Sequence, residues 1–255
     1  MRHYPAMGWK EAGRATLRRA GFVVHRWPGN RFDAMEDALR LLRRSGYSPR
    51  VVIDCGANCG QWFDVASRIF SGAEFHLIEP QDYCWGELEA RVGASRGRAH
   101  LHRTAVSAPG RTHVGLARGG SDGSTGAFVV SESEAIPADL QTIATTLDTL
   151  LAARVGAGDH ALLKLDIEGH ELPALEGAAD LLTRVEVVVS EVRFFDINRH
   201  GRPQFGDVAA FLDARDFALF DFAALASRAR DLRLRIGDAV FVRRSSLLAK
   251  DVSWD

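Results

Sequence analysis

The residues whose types and spacing could do chemistry are two acids, a turn rich in small residues and one histidine-bearing run. Asp54 and Glu79 stand 25 positions apart and each ends an apolar stretch, Val51-Val52-Ile53-Asp54 and Phe75-His76-Leu77-Ile78-Glu79-Pro80. Between them Gly56-Ala57-Asn58-Cys59-Gly60 leads into Gln61–Phe70, which reads as a helix. Glycines at such a turn let a ligand approach the backbone, and the first helical N–H groups point at it. The order Asp54-x-Gly56-x-Asn58-x-Gly60 departs from the Gly-x-Gly-x-x-Gly of dinucleotide sites, with an acid inside the turn and Asn at the second Gly. A pyrophosphate is therefore disfavoured, and a ligand with a cationic end suits the acid.

A carboxylate closing the second strand is where a β-α-β nucleotide unit holds a ribose. Singly, Asp54 could be a helix cap and Glu79 a surface acid before Pro80. Together with the turn they point to S-adenosylmethionine, with its ammonium, sulfonium and ribose, and to a class I methyltransferase. A further run, Leu163-Lys164-Leu165-Asp166-Ile167-Glu168-Gly169-His170-Glu171, places three acids and a histidine at a strand's carboxyl end, where open α/β sheets hold substrate. Lys164 and Asp166 share a strand face, so Lys164 either pairs with a carboxylate or snorkels past the core, and a structural role is the favoured reading.

The elements that must position these residues follow from the apolar periodicity. Asp33–Ser45 reads as a helix, followed by strands at 51–54, Ala73–Pro80 and Ala99–Ala105, with a helix over Tyr83–Val92. Residues 106–146 are Gly- and Ser-rich with short β-like runs at His113–Leu116 and Ala127–Val130, and read as an inserted hairpin or lid. The remainder reads as a helix Leu147–Val155 capped by Thr145 or Thr146, a strand Ala161–Asp166, a helix Leu172–Leu182, a strand Val185–Val192 and a helix Phe205–Arg215. Two last strands follow at Phe217–Phe222 and Asp238–Arg243. The expectation is an α/β, Rossmann-like doubly wound sheet, mostly parallel, ending in an antiparallel C-terminal hairpin. Residues 1–32 read as an N-terminal extension with a short helix (Trp9–Arg19) and an extended piece (Phe22–Asn30), 33–244 as the catalytic domain and 245–255 as a tail.

With 255 residues, 46% hydrophobic and 25% charged, the composition is that of a globular protein able to bury a large core. A net charge of -1 gives no reason to expect nucleic acid or an anionic membrane as partner. Residues 1–50 carry eleven Lys or Arg against four acids, a local +7 that leaves -8 for the rest. Such a face is more often solvated than functional, although an acidic substrate or a carrier protein would suit it. The three cysteines are an odd, sparse set, and no apolar run qualifies as a signal peptide or membrane span, so a cytoplasmic location is expected. Cys55 and Cys59 lack further thiols for a zinc site and read as small buried residues beside the turn. A homodimer is left open.

The chain resembles the FkbM family of S-adenosylmethionine-dependent methyltransferases. The resemblance rests on Val52–Gly60, Ile78-Glu79-Pro80, Thr104-Ala105-Val106-Ser107, Thr145–Leu150, Leu163–Glu171 and Ser190-Glu191-Val192, and runs from about residue 50 to residue 222. Cys59 stands where relatives often have Ile or Leu. The resemblance implies O-methylation of a hydroxyl on a sugar, polyketide or other secondary metabolite, so that the partner is a small-molecule or glycan acceptor. Asp54, Gly56, Asn58, Gly60, Glu79, Pro80, Ala105 and Asp166 would then hold the cofactor.

Methyl transfer from a sulfonium is an in-line displacement that needs alignment and an acceptor for the hydroxyl proton. His170 is the leading base because its ordinary pKa lies near working pH, with Asp166 and Glu191 as alternatives or orienting partners. The same run could instead simply cap a helix. Asp166, Glu168, His170 and Glu191 offer ligands to a divalent metal, but nothing in their spacing requires one, and no metal is assigned. N- or carboxyl-methylation of a peptide or amine is the alternative chemistry, and a non-catalytic cofactor-binding scaffold the alternative of another class. The residues that choose the acceptor are expected in 115–127, 194–205 and the N-terminal extension.

Overall fold

Val51–Cys55 (β1) is buried at every position, as its unbroken apolar run requires when helices cover both faces of a sheet. It pairs in parallel with Glu74–Ile78 (β2) on one side and Ala161–Leu165 (β8) on the other. The computed structural model describes residues 31–117, 128–129, 141–196 and 201–250, together with Leu17, Ala20 and Ser253. The expected helix at 9–19, the extended piece at 22–30 and most of the lid at 115–127 lie outside the described residues, apart from Leu17 and 115–117.

With Ala99–His102 (β3), Val185–Arg193 (β9), Phe217–Ser227 (β10) and Leu234–Arg243 (β11), the main sheet has seven strands in the order β10-β11-β9-β8-β1-β2-β3. Every pair from β3 to β9 is parallel, whereas β11 runs antiparallel to both β9 and β10. This is the expected doubly wound, mostly parallel sheet with an antiparallel C-terminal hairpin. Because β1 neighbours both β2 and β8, the chain reverses its winding there, and the carboxyl ends of these strands open a crevice.

The helices divide between the faces. Arg31–Arg44 (α1), Gln61–Ile69 (α2) and Trp85–Ala94 (α3) bury Met35, Leu39, Trp62, Phe63 and Leu88 against Val52, Phe75 and Leu77. Leu147–Leu151 (α4), Glu171–Glu176 (α5) and Phe205–Asp213 (α6) bury Leu147, Leu151, Ala174, Val208 and Leu212 against Ile53, Leu163 and Val188. Thr146 is the cap of α4, its hydroxyl accepting the Thr149 N–H at 3.0 Å. Among the described residues no helix is long and apolar enough to cross a membrane.

Four expectations needed correction. The strand expected over 99–105 is two strands, because the chain leaves β3 and pairs Ala105–Val106 (β4) with Gln141–Thr145 (β7) in a second sheet. That sheet has the order β4-β7-β5-β6, with His113–Ala117 as β5 and Phe128–Val129 as β6, so the expected hairpin rests on a strand, β7, that was not read. Its Gln-Thr-Ile-Ala-Thr run is only partly buried, with Ile143 facing solvent, and lacks an apolar signal. The helix expected over 172–182 ends at Glu176, and at its C-cap Gly177 the backbone packs so closely that a Cβ would fall 2.2 Å from the Ser107 carbonyl oxygen. The chain then turns under Asp148, whose carboxylate accepts the N–H groups of Asp180 and Leu181 at 3.0 and 2.7 Å. The hairpin strands β10 and β11 run longer than expected, through bulges after Leu219 and Phe222.

Candidate functional site

A cavity of about 350 Å³ lies over the carboxyl ends of β1, β2 and β8, within the size range of small-molecule sites. The glycine of the first turn is there for proximity. Gly56 has φ +77°, and a Cβ on it would fall 2.0 Å from the Asp166 carbonyl oxygen, so this turn and the one after β8 touch through bare backbone. Gly60, with φ +92°, instead packs outward, where a Cβ would meet the Arg91 side chain at 2.5 Å. It shapes the turn without lining the cavity.

Asp54 is fully buried beneath the turn, outside the lining. Its Oδ1 lies 2.9 Å from the Lys164 Nζ, which also donates to the Gly56 carbonyl at 2.9 Å and reaches Asp166 Oδ2 at 3.9 Å. Burial opposes the charge on Lys164, but the carboxylates of Asp54 and Asp166 hold its pKa above the ordinary value. The pair welds β8 to the β1 turn, which is the structural reading of Lys164. Asp54 acts on the cavity through Lys164, which does line it.

Glu79 faces the cavity at 2% exposure and is held from two sides. Its Oε2 accepts the Asn58 N–H at 2.8 Å, and its Oε1 accepts the Gln81 N–H at 2.9 Å and the Gln81 side-chain amide at 3.2 Å. Burial raises its pKa and these bonds oppose the rise. Its carbonyl accepts the Trp85 indole N–H at 3.0 Å. Pro80, Asn58, Gly56, Ala105 and Asp166 line the same space, so six of the eight expected cofactor residues, counting Glu79, converge there.

The facing wall comes from the loop 166–170. Glu168 has φ +56° and Gly169 φ +97°, and this turn is pinned by Glu171, whose Oε1 accepts the N–H groups of Ile167 and Gly169, each at 3.1 Å. Burial pushes the Glu171 carboxyl up to about 7 despite those bonds. His170 lines the cavity with Nε2 2.9 Å from the Ser107 Oγ. Burial, then the charges of Arg111 and Arg202, lower its pKa to about 4, so the ring is neutral at neutral pH.

Glu191 is buried and outside the lining, with Oε1 3.5 Å from Arg193. Asp166, Glu168 and Glu191 bring carboxylate oxygens within 4.8 Å of one another, a group that could hold a cation, while His170 stands apart from it. Arg193 also meets Glu168 at 3.2 Å and supplies positive charge to that group.

Several residues escaped the sequence reading. Ser107, buried to 1% exposure, holds the histidine, and its place in the Thr104–Ser107 block was the only hint. Trp62 belongs to the core, as its type suggested, yet also lines the cavity, with Lys164 Nζ 5.8 Å from a ring centroid. Asp238 and Met35 line it from β11 and α1. Nothing local marks them, because strand order alone brings β11 beside β9.

The profile described as "Methyltransferase FkbM domain" matches residues 54–219. The chain belongs to the FkbM methyltransferase family. That stretch contains β1's final acid, both walls of the cavity and most of the main sheet, so the family assignment and the site coincide. No curated protein matches the chain. Among solved structures, the methyltransferase FkbM from Methylobacillus flagellatus KT is 16% identical with a TM-score of 0.47, covering 76% of this chain and 43% of its own. The precorrin-6y C5,15-methyltransferase from Geobacter metallireducens GS-15 is 12% identical with a TM-score of 0.44, covering 83% and 86%. A methyltransferase from Geobacter sulfurreducens is also 12% identical with a TM-score of 0.44, covering 94% and 90%. This FkbM chain thus spans less than half the length of the Methylobacillus protein.

Proposed function

We propose that this FkbM methyltransferase transfers a methyl group from S-adenosylmethionine to a hydroxyl of a sugar, polyketide or other secondary metabolite. The observation that carries the reading is Glu79, a buried carboxylate held by two backbone N–H groups with a face on the cavity, which suits a pair of ribose hydroxyls. Gly56 and Asn58 offer bare backbone beside it, and Asp166 offers a carboxylate to an ammonium. When bound, the donor supplies an electrophilic methyl on a sulfonium.

The chain's own residues align the acceptor and take its proton. Neutral His170 receives that proton as the carbon–oxygen bond forms. A base with a pKa of about 4 suffices, because a hydroxyl oxygen gaining a methyl becomes strongly acidic. Ser107 holds the ring, and Glu171 holds the loop that carries it. The cavity walls exclude water from the transfer.

The test is a screen of glycosides and polyketides for a mass gain of one methylene with S-adenosylmethionine present. The expected result is methylation on oxygen, with His170→Ala losing about 100-fold or more in turnover and less than about threefold in donor affinity. Methylation of an amine, or full turnover by His170→Ala, would overturn the respective part.

A further inference from the structure

Cys59 and Cys84 take no part in the proposed transfer, yet they meet at the edge of the donor cavity. Their Sγ atoms are 3.0 Å apart and unbonded. Cys59 lies in the β1–α2 turn between Asn58 (φ +47°) and Gly60, while Cys84 ends the 3₁₀ turn Asp82–Cys84 that follows β2. Two separate loops, each contributing walls of the cavity, thus place a thiol against a thiol.

Asn58 couples this pair to the cavity. Its Oδ1 accepts the Cys59 N–H at 2.6 Å and the Cys84 S–H at 3.3 Å, while its own N–H donates to Glu79 Oε2 at 2.8 Å. A disulfide needs its sulfurs about 2 Å apart. Closing the pair therefore draws the two loops together by about 1 Å and removes the S–H that Asn58 receives. The hydrogen bond on which Glu79 depends is one residue away from that movement.

We infer that Cys59 and Cys84 are a redox-modified pair whose disulfide displaces Asn58 from Glu79 and weakens binding of the methyl donor. The second half of this inference rests on the cavity being the S-adenosylmethionine site. The oxidant is hydrogen peroxide. Cys59 keeps partial contact with solvent, whereas burial and the Cys59 thiol push Cys84 up to about 12, so oxidation starts at Cys59. The Cys59 sulfur attacks the O–O bond, becoming a sulfenic acid and releasing water. The Cys84 sulfur then displaces the second water to form the S–S bond, so two thiols supply the two electrons that reduce one peroxide. Cys55, fully buried in β1, remains a thiol.

The full-length chain is treated with hydrogen peroxide, its remaining thiols are blocked, and intact mass and crosslinked peptides are read. The expected result is loss of two hydrogens, one alkylatable thiol, and a bridge absent from Cys59→Ser and from Cys84→Ser but retained in Cys55→Ala. Calorimetric titration with S-adenosylmethionine should show affinity about tenfold weaker in the oxidised protein, restored by a dithiol reductant and unaffected by peroxide in Cys59→Ser, which lacks the sulfur that is oxidised first. Three alkylatable thiols after treatment, a bridge through Cys55, or unchanged affinity in the bridged protein would each overturn the inference. Bridge formation is read without donor, so reduced protein that fails to bind contradicts the donor site and leaves the bridge standing.

Discussion

On the donor wall, Glu79 is held by main-chain groups, the N–H groups of Asn58 and Gln81, and Lys164 is anchored by the Gly56 carbonyl as well as by Asp54. On the facing wall side chains hold one another, His170 by Ser107 and Glu168 by Arg193. Main-chain partners follow from the turns that leave β1 and β2, so they do not depend on which side chains Asn58 and Gln81 carry. Side-chain partners can be exchanged one at a time without touching the sheet.

The contrast is most severely tested at its foundation. Replacing Lys164 by Met strands a buried Asp54 carboxylate and should cost about 3–5 kcal/mol of stability in urea unfolding, with much of the loss recovered in Asp54→Asn/Lys164→Met. A loss under about 1 kcal/mol would mean that the pair does not weld the two turns. Glu79→Ala should weaken S-adenosylmethionine by about 2–3 kcal/mol, seen by calorimetry, while leaving turns elsewhere intact.

Acid should unsettle the β2–β3 side of the main sheet next. His76 is buried, with Nδ1 3.0 Å from His102 Nε2, and Nε2 3.4 Å from a Glu74 carboxylate. Burial, then the neighbouring His102, His100 and Arg154, lower its pKa to about 3. A base whose folded pKa lies below the unfolded 6.5 gives stability that is fully present above pH 6.5 and lost as pH falls from there toward 3. At pH 5 the loss is about 2 kcal/mol, and His76→Phe should flatten that slope. Glu171 runs the other way: its carboxyl is raised to about 7, so its contribution is present below the ordinary carboxylate range and fades as pH rises through 7. Glu171→Gln should remove that alkaline drift. Smallest of all, Ile143→Ala, exposed on β7 and outside the cavity lining, should move donor affinity by less than about 0.5 kcal/mol, and a larger effect would mean that the second sheet bears on the donor.

The same division governs what the sequence makes legible. The strand runs and their closing acids mark the main sheet, because a strand covered on both faces must be apolar throughout, and Asp54, Glu79 and Asp166 are read from their positions at strand ends. Whether such an acid faces the ligand depends on side-chain pairing across strands, and so Asp54 reads as a ligand group although it lies beneath Lys164. Ser107 reaches His170, and Asp238 reaches the cavity, through β4 leaving β3 and β11 inserting beside β9, steps that leave no periodic trace. Strand β7 is hidden by its mixed burial and Thr-rich character.

Calorimetric titration of reduced wild-type and Glu79→Ala protein with S-adenosylmethionine tests the central claim most directly. The account predicts one-to-one binding by wild type and about 100-fold weaker binding by a variant that unfolds at nearly the same urea concentration. Equal affinity in the two proteins, or none in well-folded wild type, would contradict it.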